Sequence, residues 1–203
     1  MFNMKRIGFG QVEPNHLSAQ RNGQIYAQLP ANKNIKILEN GQFAKYDYEN
    51  GEVNFTGDGE WMLVFNEVKL YDDRWRETYK DYAMQEDMFT SDSYIYEDEN
   101  GNKQVKYVSH NGVGPLKGQM VPRLFKTSVG DIYTTNCIKV ANTAGNVQVD
   151  MGTVSLGMEL GVNGNGYLED VSGLTGYNGP IFKVVKVYTM PDGQDGVKLQ
   201  RIS

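Results

Sequence analysis

The chain has very little of what enzymes and small secreted domains are usually built from. Cysteine occurs once, at Cys137, and histidine twice, at His16 and His110. A lone cysteine forms no internal bridge, so a disulfide framework is excluded and a reducing folding compartment is the simpler reading. With this supply of nitrogen and sulfur ligands, a zinc site within one chain is not expected. A nucleophilic Cys137 needs a base that the two histidines alone must provide. The plainer reading is a small buried hydrophobe in a strand. Long apolar runs are also missing. The longest is about one strand in length, so no transmembrane helix is expected. No early stretch has the apolar core of a signal peptide. Positive charge is in deficit: 20 Lys and Arg face 25 Asp and Glu, for a net charge of -5. That balance argues against a protein that coats nucleic acid by neutralising phosphates.

Catalytic signatures are absent as well. The sequence contains no Gly-x-Ser-x-Gly, no His-Glu-x-x-His and no Gly-x-x-x-x-Gly-Lys-[Ser/Thr]. Gly112-Val113-Gly114 and Gly164-Asn165-Gly166 do not continue into a dinucleotide fingerprint and read as loops. Asp98-Glu99-Asn100-Gly101-Asn102 has the look of a calcium loop, but Lys103 stands at the glycine position and Ser109 at the closing acid. A hairpin turn is the better reading. No cofactor, no metal and no enzymatic activity are expected.

What the chain does have is turns. Asn-Gly occurs at 22, 40, 50, 100, 111, 163, 165 and 178, and Asp-Gly at 58, 192 and 195. These dipeptides reach positive φ at little strain, as two-residue hairpin turns require. Strand-like runs lie between them. Ile35–Leu38, Gln42–Tyr46 and Gly51–Thr56 are joined across Asn40 and Asn50. The dense run Trp61-Met62-Leu63-Val64-Phe65 predicts a strand covered on both faces. Ser93–Tyr96 and Gln104–Val108 predict a hairpin over Asn100-Gly101. Ile181–Thr189 and Gly196–Ile202 predict a terminal hairpin over Pro191-Asp192-Gly193. Many short strands at this spacing mean an all-β barrel or sandwich.

Three segments break the pattern. Residues 1–20 lack periodicity, contain Pro14 and predict an extended N-terminal arm. Residues 71–89 read as one helix, with Trp75, Tyr79, Tyr82 and Ala83 on one face, or as an extended surface arm. Residues 109–122 form a Gly- and Pro-rich return loop. The expected organisation is an arm over 1–20, a β domain over 21–70 and 118–203, and an inserted excursion with a hairpin over 71–117.

Charge and aromatics are unevenly spread. Residues 1–33 are basic and residues 86–100 acidic, which reads as two solvated faces or as electrostatic register between subunits. Tyr71, Trp75, Tyr79, Tyr82 and Phe89 cluster in the excursion among Asp72, Asp73, Arg74, Arg76 and Lys80. Tyr, Trp and Arg together are the composition of interface hot spots. The alternative is that these rings pack the excursion onto its own body.

The stretch Phe9-Gly10-Gln11-Val12-Glu13-Pro14-Asn15-His16-Leu17-Ser18-Ala19-Gln20-Arg21, running into Gln24–Pro30, resembles the N-termini of small virion proteins of tailed bacteriophages. Val129–Asn136, Leu160–Val162, Gly164–Leu168 and Phe182–Lys198 are similar to the β modules of phage capsid decoration (auxiliary, head-stabilising) proteins. The resemblance covers roughly residues 1–30 and 125–203 and implies a structural protein on the outer surface of a capsid lattice. Its implied partners are the major capsid protein and neighbouring copies of itself, in a homo-oligomer, a trimer, assembled in the host cytoplasm, with no nucleic acid and no membrane. Gln11, Pro14, His16, Leu17 and Arg21 in the arm, with Tyr71, Arg74, Trp75, Tyr79 and Tyr82 in the excursion, are the expected partner contacts. The alternatives are a tail, neck or head-fibre part, or a carbohydrate- or host-binding β module marked by exposed aromatics in a groove with polar partners.

Overall fold

The computed structural model describes residues 2–6, 9–66, 83–85, 92–97, 103–108, 120–139, 149–190 and 193–203. Within them the protein is an all-β sandwich of short antiparallel strands; no closed barrel forms. In chain order the elements are β1 (Phe2–Arg6), β2 (Val12–His16), α1 (Ser18–Asn22), β3 (Ile25–Tyr26), β4 (Ile37–Glu39), β5 (Phe43–Asp47), β6 (Glu52–Asn54) and β7 (Met62–Val64). There follow β8 (Ala83–Gln85), β9 (Asp92–Glu97), β10 (Lys103–Val108), β11 (Leu124–Phe125), β12 (Ile132–Thr135) and β13 (Val149–Val154). The chain closes with β14 (Glu159–Val162), β15 (Leu168–Asp170), β16 (Phe182–Thr189) and β17 (Asp195–Arg201).

The dense apolar run sits where its pattern demands. Met62, Leu63 and Val64 are all buried, because β7 lies inside a five-stranded sheet of order β3-β11-β7-β5-β6. Alternation along the strands sends Phe43, Leu63 and Phe125 to one face and Ala44, Met62, Val64 and Leu124 to the other. The first face packs on a six-stranded sheet of order β15-β14-β16-β17-β12-β2. Tyr133, Leu160, Phe182, Val184, Val197 and Leu199 supply that sheet's inner side. Phe182 joins the layers, with its ring 5.2 Å from Phe43 and 5.7 Å from Tyr133. Each such side chain, fully buried, contributes about 1.5–3 kcal/mol. The second face is covered by the two-stranded pair β4–β8 and by loops, through Ile35, Leu38, Met84 and Met120.

The expected hairpins form. β16 and β17 pair from Phe182↔Arg201 to Thr189↔Asp195, and β9 and β10 pair from Asp92↔Val108 to Glu97↔Lys103. The Asn50 turn joins β5 to β6. The Asn40-Gly41 turn differs: β4 pairs with β8, not with β5. Asn40 there exchanges both of its amide groups with the main chain of Asn66, at 2.7 and 3.0 Å, and Gly41 turns at φ 96°. The turn therefore passes the chain from one layer to the next.

Residues 1–20 are not a free arm. β1 pairs with β13, and β2 pairs with β12 at the edge of the six-stranded sheet. Met4, Val12, Leu17 and Ala19 belong to the inter-sheet core. Asp131 fixes the entry to α1, accepting from Ser18 N at 2.9 Å and Ser18 Oγ at 3.0 Å. β2 escaped the pattern because only Val12 on it is buried; its Pro14 is at home on an edge strand. The helix expected over 71–89 does not include Ala83–Gln85, which form strand β8, and residues 86–89 lie outside the described residues. Pairing with β4 over a buried apolar patch overrides the local helical pattern there. Residues 67–82 lie outside the described residues.

Candidate binding groove

Three loops meet at the seam between the five-stranded sheet and the β14–β15 hairpin, and they leave an open groove of about 520 Å³. One loop precedes β4 and brings Asn32, Asn34, Ile35 and Lys36. A second follows β6 and brings Phe55 and Thr56. The third is the Asn163–Gly166 turn, which brings Gly164 and Asn165 and is followed by Tyr167. Gln42, beside β5, completes the lining with Ile37 and Asn54. The volume lies within the range of about 300–1,000 Å³ usual for ligand clefts.

The loops are held by their own amides. Asn163 Oδ1 accepts from the main-chain N–H groups of Asn165 and Tyr167, each at 3.0 Å, and shapes the turn. Phe43 N donates to Gly166 O at 2.7 Å, and Gln42 Nε2 donates to Asn165 O at 3.1 Å. Gly166 is required there: its φ is 79°, and a Cβ would stand 2.1 Å from the Phe43 carbonyl oxygen and 2.9 Å from the Phe55 ring. Asn54 Oδ1 accepts from Thr56 N and Gly57 N, and Asn32 Oδ1 from Asn34 N. Gln42 Oε1 accepts from Glu39 N at 2.7 Å. Against these, the side-chain amides of Asn34 and Asn165 make no hydrogen bond among the described residues and face solvent.

Behind the groove lies a buried ion pair. Arg6 reaches from β1 to Glu39 at the end of β4 and donates in a fork, at 2.7 Å to Oε1 and 3.2 Å to Oε2. Gly10 N donates to Oε1 at 3.1 Å, and Tyr167 OH donates to Oε2 at 2.7 Å. Four donors thus satisfy the buried carboxylate, while Arg6 Nε remains a buried donor without a hydrogen-bond partner among the described residues. Burial, then Cys137 and Glu39, push the Tyr167 phenol far above its ordinary range, so it stays a neutral donor. Its ring lines the groove while its hydroxyl is tied inward. Burial and then the Glu39 carboxylate also push the Cys137 thiol well up, against the pull of Arg6. A protonated, fully buried thiol is inert.

The residues assigned to partner contact from sequence do not gather here. Gln11 and Leu17 are only 1% and 2% exposed and belong to the interior. Gln11 N donates to Asn136 Oδ1 at 2.7 Å, and Gln11 O accepts from Thr135 Oγ1 at 2.7 Å, so both residues serve the chain's own packing. Pro14, His16 and Arg21 are exposed along β2 and α1, away from the groove lining. Tyr71, Arg74, Trp75, Tyr79 and Tyr82 lie outside the described residues. The groove was not legible because Asn163-Gly164 and Asn165-Gly166 read only as turn dipeptides, and Asn32, Asn34 and Asn54 carry no motif of their own; the recurrence of asparagine at 32, 34, 54, 163 and 165 was the available signal. Among the described residues, no group of three or more His, Cys, Asp or Glu side chains is placed to hold a metal, and no helix is long and apolar enough to cross a membrane. Comparison with protein-family models, with curated proteins and with solved structures finds no match.

Proposed function

We propose that the chain is a non-enzymatic structural part of a tailed-phage particle that binds the outer surface of the capsid lattice and stabilises it through contacts between subunits. The observation that carries this reading is the outer face of the six-stranded sheet. Lys186 on β16 stands opposite Lys198 on β17, and Lys183 stands opposite Gln200 on the same side. Lys183, Val185 and Lys186 are exposed. Like charges directly opposite one another destabilise a sheet, and here they do so in a chain that is acidic as a whole. A partner surface bearing carboxylates offsets that repulsion and gains orientation from it. The resemblance of the β16–β17 segment to capsid-decorating modules points the same way, toward the major capsid protein and neighbouring copies in a homo-oligomer, a trimer.

Co-sedimentation with empty capsids tests the proposal. The chain should pellet with capsids at low salt, less so as salt rises, and Lys183→Gln combined with Lys186→Gln, which removes the charges without setting a second carboxylate opposite Glu159, should abolish pelleting while leaving the melting curve close to the parent's. A wild-type chain that stays in the supernatant defeats it. Saturation near a fixed ratio to the major capsid protein belongs to decoration; a few copies per particle would instead assign the chain to a tail, neck or head fibre.

A further inference from the structure

We infer that the groove between the three asparagine-bearing loops is a binding site for a neutral oligosaccharide. Chemistry selects the ligand class. Among the described residues no carboxylate lines the groove, so a cation would find no counter-charge there, and Lys36 is its one cationic side chain, where an anion asks for several. A purely apolar ligand would strip water from the side-chain amides of Asn34 and Asn165 and return no hydrogen bond to them. The fitting ligand is uncharged and carries donors and acceptors side by side, together with apolar C–H faces.

A sugar meets both demands. Each asparagine amide offers two donors and an acceptor, the complement of adjacent hydroxyls, every one of which both donates and accepts. Phe55 and Ile37 supply apolar surface in the same groove, with Ile37 43% exposed and open to a ligand's C–H faces. The division of labour among the amides is the second observation. Asn32, Asn54 and Gln42 are consumed in fixing the loops, whereas Asn34 and Asn165 are left over on two different loops of the lining. The frame behind them is rigid, because Tyr167 is anchored on the Arg6–Glu39 pair and Gly166 is locked over Phe43. Loops fixed in advance lose little freedom when a ligand arrives, which favours affinity from few contacts.

The inference stands apart from capsid binding, since the groove and the lysine face carry different residues. It is tested by titrating the ¹⁵N-labelled full chain with maltotriose, cellotriose, mannotriose and chitotriose, using a sialylated trisaccharide as the charged control. At least one neutral trisaccharide should shift the Asn34 and Asn165 side-chain amide resonances and the Gly164 backbone resonance saturably. Asn34→Ala with Asn165→Ala should weaken that binding about five- to thirty-fold, the loss of one to two hydrogen bonds each worth about 1 kcal/mol. The double variant should otherwise keep its spectrum, because neither side-chain amide hydrogen-bonds among the described residues. No shift from any neutral sugar into the millimolar range overturns the inference. So do shifts that persist unchanged in the double variant, and so does preferential binding of the sialylated control.

Discussion

The five-stranded sheet is covered on its two faces by layers of different quality. Toward the six-stranded sheet it meets a continuous aromatic and aliphatic core, in which Phe43, Phe125, Tyr133 and Phe182 are almost wholly buried. On the other side it meets one short strand pair and several loops, and the lining there is rich in methionine: Met62, Met84 and Met120. Ala31, Ile35 and Met84 on that side keep residual exposure. Rings with few rotamers specify one packing, whereas methionine adapts to irregular gaps. The first interface sets the architecture, and the second tolerates loops of varied shape. The groove opens where the two kinds of cover meet, between the loop before β4 and the β14–β15 turn of the six-stranded sheet.

That contrast can be broken most severely at the N-terminus. Deleting residues 1–20 removes β1, β2 and four members of the inter-sheet core, Met4, Val12, Leu17 and Ala19. The shortened chain should fail to fold, seen as loss of a cooperative melt and immediate digestion by a nonspecific protease; a truncated chain that melts like the parent would show that the core does not need them. Next in size, Phe182→Ala should cost about 3–5 kcal/mol in chemical denaturation, because it leaves a cavity between two fixed sheets. Met84→Leu on the other side should cost under about 1.5 kcal/mol. Equal losses at the two positions would erase the distinction between the layers.

Smaller still, Tyr167→Phe takes one donor from the buried Glu39 carboxylate and should cost about 1–3 kcal/mol, with the largest chemical-shift changes at Gly10, Gln42 and Asn165. A silent substitution would mean that the ion pair does not brace the groove. Asn34→Ala and Asn165→Ala should each move stability by no more than about 0.5 kcal/mol, as surface changes without partners do. A larger loss at either would show that the amide belongs to the scaffold.

The parts legible in the sequence are those whose information is local. The run from Trp61 to Phe65 announced a strand buried on both faces, and the hairpins at 92–108 and 182–201 were marked by period-two patterning around turn residues. β2 was not legible, because an edge strand with one buried side chain has no alternation to detect. The Arg6–Glu39 pair spans 33 positions, and neither residue carries a local sign of its partner. Asn40-Gly41 was read as a hairpin turn, yet what decides its role is the main chain of Asn66, 26 positions away. The groove suffered the same fate: Asn163 and Asn165 are explained by their own turns, Asn32, Asn34 and Asn54 carry no local motif, and only the fold brings the three loops together.

The order of strands in the six-stranded sheet also sets a timetable. β2 pairs with β12, which pairs in turn with β17, so the first-made strand of this sheet finds its neighbour only after most of the chain exists. Gln11 and Asn136, which bond directly, are separated by 125 positions. At ribosomal speeds of about 5–20 residues per second, that interval is on the order of ten seconds. Throughout it, Val12 and Leu17 have no core to enter, and once complete the chain must still close many nonlocal pairings, a process that takes roughly milliseconds to seconds in β-rich domains. A nascent chain halted before Ile132 presents unpaired strands and exposed apolar side chains together, so the yield of soluble protein should depend on translation rate and chaperone supply more than on the stability of the finished sandwich.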